Sequence, residues 1–148
     1  MSELSEQAGK ALGDALGAEH AALWVYGLAN AFIGEARVRD AVEDAVDQHE
    51  RLRDTAEQAM REAGLTPTPA QPAYDVGGGV QNQSSAIELL ITAEGDCEVG
   101  WRSVLDNTED PGLRRTALDG LTTSAARATR WRLTLGRQPA VEHFPGQR

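Results

Sequence analysis

Apolar residues recur at three- and four-residue intervals in four stretches of the chain, which is helical spacing, and no stretch shows the alternation of a strand. The first helix is expected over residues 4–33, capped by Ser2 and relieved at Gly34, where a short turn leads into the second. The second is expected over residues 35–63, ended by Gly64 ahead of Pro67 and Pro69. The third spans 84–105. The fourth, over 111–135, takes Asp110 as its cap and Pro111 in its first turn, and stops before Gly136. Residues 65–83 hold Pro67, Pro69, Pro72 and Gly77, Gly78 and Gly79, so they form a long irregular connection. The tail, residues 137–148, contains Pro139, Phe144 and Pro145 and is expected to fold back along the bundle.

Two helices joined by a short turn, a long connection, then two more helices is the pattern of a four-helix bundle with one crossover between helices two and three. The fold class is therefore all-α and ferritin-like in its connectivity. The 148 residues suit a single domain with one core.

Charged and polar side chains interrupt the apolar stripes at particular places. On the first helix, Leu12, Leu16, Leu23, Tyr26 and Ile33 share a side, and Glu19 stands among them. On the second, His49 stands amid Val38, Val42, Ala45, Val46, Ala56 and Met60, with Arg53 one turn on. On the third, Glu94 is central among Ile87, Leu90, Ile91, Trp101 and Leu105, flanked by Cys97 and Glu98. The fourth stripe has Ser124 as its mid-stripe polar group and Arg132 near its edge. Glu19, His49 and Glu94 are each mid-helix, so they are expected to meet in one layer.

A di-iron site in this topology takes a Glu from each of two helices and a Glu-x-x-His pair from each of the other two. His49 has Val46 where its Glu would stand, and the fourth helix lacks both members of its pair. Three readings stay open for Glu19, His49 and Glu94. They form a buried, charge-compensated network with Arg53 or Arg132, with no cofactor. Alternatively they bind one iron or other divalent metal as two carboxylates and an imidazole, or they bind some other ligand.

Charge and composition narrow the setting. Against 23 Asp and Glu stand 14 Lys and Arg, a formal charge of -9, which disfavours nucleic acid as a partner. The most apolar stretch, residues 21–33, falls short of the roughly 20 residues a bilayer requires. Cys97 is the only cysteine, which excludes an intrachain disulfide, and the acidic start is unlike a signal peptide, so a cytoplasmic location is expected. Cys97 beside a buried stripe reads as an inert core thiol, His20 as a flank residue, and His143 has no evident partner. Gly77, Gly78 and Gly79 lack the Gly-Lys-Ser/Thr continuation of a phosphate loop. Trp24, Leu28 and Phe32 make a second apolar stripe opposite Glu19, expected to be covered by a second subunit in a homodimer because the crossover and tail offer few large apolar side chains.

Residues 18–27 (AEHAALWVYG), 49–54 (HERLRD) and 72–74 (PAY), the Trp101-Arg102 pair, residues 130–132 (RWR) and the terminal FPGQ resemble a ferritin-like family of unknown function found largely in actinobacteria. The resemblance spans almost the whole chain. It implies a ferritin-like fold and no established activity. The functional expectation is a non-catalytic binding or structural homodimer, the alternative a metal-dependent redox or iron-binding protein with a reduced carboxylate and histidine site.

Overall fold

The computed structural model describes residues 3–147 as four helices: α1 (Glu6–Asn30), α2 (Ala36–Glu62), α3 (Gln83–Asn107) and α4 (Pro111–Thr134). Local chemistry sets their ends. Ser5, not Ser2, caps α1 by accepting the Ala8 N–H; Ser2 lies outside the described residues. The helix ends at Asn30, three residues early, and the chain then turns so that Ile33 plugs the core at 4% exposure. Gly64 at φ +76° and Gly136 at φ +70° take the left-handed position after α2 and α4. Asn82 and Ser85 form a reciprocal capping box at α3, and Asp110 with Pro111 starts α4.

Contacts across the bundle fix its direction of travel. Gly13 lies by Met60 and Glu19 meets His49; Glu19 meets Trp101 and Tyr26 meets Glu94; Trp101 lies by Gly120 and Glu94 meets Arg127. The numbers rise on one helix as they fall on the other, so α1–α2, α1–α3 and α3–α4 are antiparallel pairs. Helices α2 and α3 are consequently parallel, and the chain between them must travel the length of the bundle. This is the one-crossover topology of the ferritin-like arrangement.

The crossover runs along α1. Gly9, Gly13 and Gly17 recur every four residues and leave a bare strip there; a methyl group on Gly9 would stand 3.0 Å from Leu65 Cδ1. Thr68 donates its hydroxyl to the Gly13 carbonyl at 2.8 Å, and His20 Nε2 donates to the Thr68 carbonyl at 2.9 Å. His20 thus pins the crossover. Further along, the Tyr74 ring lies 6.1 Å from that of Trp24. The crossover therefore supplies an aromatic cover for Trp24, against the expectation that it has too few large side chains for this. Phe32 keeps 37% exposure. The tail folds back on the other side, where Arg132 binds the Ala140 carbonyl and Glu142, and Gly146 packs on the Glu98 carbonyl.

Small residues let the helices approach. A side chain at Gly100 would stand 3.0 Å from the Ala15 Cα, and one at Gly120 only 2.6 Å from the Trp101 ring. Trp101 is fully buried, so its indole cannot move aside cheaply. Gly120→Ala is expected to cost about 1–3 kcal/mol through overpacking, measured by urea denaturation. Gly95→Ala, at a helical position with nothing within 4 Å, should instead gain about 0.5–1 kcal/mol from helix propensity.

Candidate functional site

Each helix contributes one charged side chain to a layer at mid-height. Glu19 comes from α1, His49 from α2, Glu94 from α3 and Arg127 from α4, all buried. His49 bridges the carboxylates: Nδ1 lies 2.5 Å from Glu19 Oε2 and Nε2 lies 2.7 Å from Glu94 Oε1. Carboxylate oxygens only accept, so both ring nitrogens carry hydrogen and the ring is an imidazolium.

Glu94 Oε1 is the hub. It accepts from the Tyr26 hydroxyl at 2.7 Å, from His49 Nε2, and from Arg127 Nε at 2.9 Å. Two tryptophans close the network, Trp101 donating to Glu19 Oε1 at 2.8 Å and Trp131 to the Tyr26 oxygen at 2.8 Å. Arg127 Nη1 donates to Gln48 Oε1, and Nη2 lies 3.4 Å from Ser124 Oγ. Glu94 Oε2 has no hydrogen-bond partner among the described residues.

Two carboxylates against one imidazolium and one guanidinium leave the layer neutral, and the titration behaviour follows. Burial opposes the charge on His49, but the Glu94 charge and the bonds to both carboxylates outweigh it, raising His49 to about 9. Burial likewise opposes the charge on Glu94, but His49 and then Arg127 outweigh it, lowering Glu94 to about 2. Burial, reinforced by Glu94, raises the Tyr26 phenol well above its usual value. Burial and then the Glu19 and Glu94 charges raise the Cys97 thiol, which is fully buried and donates to the Ala18 carbonyl at 3.5 Å. Cys97 is a neutral thiol.

Glu19, His49 and Glu94 thus meet, whereas the partners expected from sequence do not join them. Arg53 is half-buried and pairs with Asp54, and Arg132 holds the tail through Glu142. Arg127 takes the place assigned to them. Its signal was available, because it stands three residues after the mid-stripe Ser124 and so on the same side of α4. Tyr26, Trp101 and Trp131 counted in sequence as apolar, although each carries a polar handle that must be satisfied once buried.

The layer can be tested against a dinuclear metal site. Val46 and His49 on α2, and Ser124 and Arg127 on α4, occupy the three-residue spacing where Glu-x-x-His pairs would lie. Two bridging carboxylates are replaced by Val46 and Ser124, and one imidazole by a guanidinium that has no lone pair to give a metal. The residues present do not fit a di-iron centre.

The stability of the chain should carry the layer's signature. His49 is raised, so its contribution is complete below its ordinary 6.5 and is lost as pH rises through about 9. Glu94 is lowered, so its contribution is lost as pH falls from 4.5 toward about 2. Burial, together with the Glu142 charge, raises Glu98 to about 7 despite Arg132, and so removes stability between pH 4.5 and 7. Chemical denaturation across pH is expected to show Glu98→Gln losing the 4.5–7 slope while keeping the 6.5–9 decline. A flat wild-type profile between pH 6.5 and 9 would contradict an imidazolium at His49.

No curated protein matches the sequence significantly. Among solved structures, the chain is similar to a conserved hypothetical protein, rv2844, from Mycobacterium tuberculosis, with 34% identity and a TM-score of 0.84, covering 94% of this chain and 97% of that one. The model of the domain of unknown function DUF4439 matches residues 11–148, and the chain belongs to that family.

Proposed function

We propose that this protein is a non-catalytic helical-bundle binding protein in which a fixed ion network stands where di-iron proteins of this topology hold metal. One observation carries the reading: His49 and Arg127 supply two built-in positive charges that match Glu19 and Glu94, so the layer is neutral without any ion. A bound divalent cation would leave the layer with excess positive charge in a buried setting, or would require His49 to lose a proton. The wild type purified without chelator is expected to contain well under one metal per chain, and added Fe(II) or Zn(II) should leave its melting temperature unchanged. Val46→Glu, Ser124→Glu and Arg127→His together restore the six-ligand pattern, and that variant should be stabilised by the same ions.

A second reading is a single iron or other divalent metal at Glu19, His49 and Glu94, in an iron-binding or redox protein. It is favoured by the unpartnered Glu94 Oε2 and by donor atoms of Glu19, His49 and Cys97 that lie within 4.8 Å of one another. Stoichiometric metal in the wild type would establish it over the first.

A homodimer through Trp24, Leu28 and Phe32 is a further part of the proposal. Its support is reduced to Phe32 and the half-buried Leu28, because Tyr74 already covers Trp24. No helix among the described residues is long and apolar enough to cross a membrane, so Phe32 is not part of such a span. Light scattering is expected to show a wild-type dimer and a Phe32→Glu monomer; a wild-type monomer at micromolar concentration would remove this part.

A further inference from the structure

Helices α2 and α4 touch least of the neighbouring pairs, and the seam between them opens into a groove of about 290 Å³. That is near the lower end of the range for small-molecule sites, roughly 300 Å³ and up. Its wall is apolar, with Val38 and Trp131 both buried. Arg127, only 3% exposed, is among the residues that line the groove. At its rim stand Arg37 and Arg130, both exposed and neither paired with an acid among the described residues, against a single lining carboxylate, Asp44. Three arginines gather here on a chain whose formal charge is -9.

We propose that this groove binds a small organic monocarboxylate with an aryl or alkyl body, its head on Arg127 and its body along Trp131 and Val38. The guanidinium spends Nε on Glu94 and Nη1 on Gln48, while Nη2 has only the 3.4 Å contact with Ser124. Gln48 is an exposed side chain that lines the groove and offers Nη1 a neutral amide oxygen. A carboxylate is the stronger acceptor and can take both Nη atoms at once, so it displaces Gln48, which swings toward solvent. Arg37 and Arg130 draw the anion to the mouth, where the wider field of this acidic protein would repel it. The body replaces water on the apolar wall. The ligand carboxylate adds a third negative charge to a layer whose two are already matched by His49 and Arg127, and the exposed Arg37 and Arg130 at the mouth are the cations that offset it, so the ion pairs of the layer stay in place.

The proposal deepens the binding reading above, and the two fail by different measurements, metal content for that one and anion selectivity for this one. Calorimetry and the Trp131 indole resonance would be followed on addition of 3-phenylpropionate, with 3-phenylpropanol and acetate as body-only and head-only probes. The acid is expected to bind and move the Trp131 signal, with each of the other two weaker by roughly tenfold or more, the share of a charge-assisted bidentate contact or of the buried body. Arg37→Ala/Arg130→Ala, both exposed positions that leave the core untouched, should weaken the acid several-fold and leave the melting temperature unchanged. Gln48→Ala should retain binding or tighten it, since the displaced competitor is gone. Three results would overturn the proposal: no heat and no resonance shift with millimolar acid, equal binding of acid and alcohol, or indifference to the double arginine variant.

Discussion

Two carboxylates cannot be placed in the centre of a helical bundle unless two positive charges are placed with them, and this requirement organises the molecule. Glu19 and Glu94 are fully buried, and the balancing charges come from the two other helices. Because the layer takes one residue from every helix, it sets rotation and height for all four at once. A slip of one residue along any helix turns its side chain by about 100° and strands a charge. An apolar layer would tolerate such a slip far better. The network thus selects one packing among several that the apolar stripes alone would allow.

The same constraint explains why Glu94 Oε1 is so heavily used. A phenol, an imidazolium and a guanidinium converge on one oxygen, and the phenol is itself held by the Trp131 indole. Gly100 lets α1 approach α3 closely at Ala15, and Gly120 lets α4 approach it at Trp101, the two pairs through which Tyr26 and Arg127 reach Glu94. Packing and polarity are therefore coupled: the glycines set the distances, and the distances decide which groups can be satisfied.

Much of this could be read from the sequence. Gly64, Gly136, Asp110 and Pro111 fixed helix ends through backbone chemistry that is local, and local chemistry is legible. The first helix was placed less well because Ser2 and Ser5 are equally good caps on paper, and the turn at Asn30 depends on Ile33 finding the core. Three members of the layer were visible as polar residues in apolar stripes. Arg127 had only a weaker signal, its place one turn from the mid-stripe Ser124, which a long side chain reaching to solvent would equally satisfy. Tyr74 over Trp24 was out of reach for a different reason. The path of an irregular crossover depends on tertiary contacts, here the bare glycine strip of α1 and the His20 bond to Thr68, and periodicity says nothing of such contacts.

The crossover gives the four helices unequal freedom. With α2, α3 and residues 65–80 laid against it, α1 is enclosed on three sides, whereas α2 and α4 face each other across a sparsely filled seam. Local opening follows the least-packed boundary, so the amide hydrogens facing that seam are expected to exchange with solvent through small excursions, and those of α1 to wait for the domain to unfold as a whole. The bundle behaves as a rigid spine with a compliant side, and its compliant side is the one that carries the buried arginine.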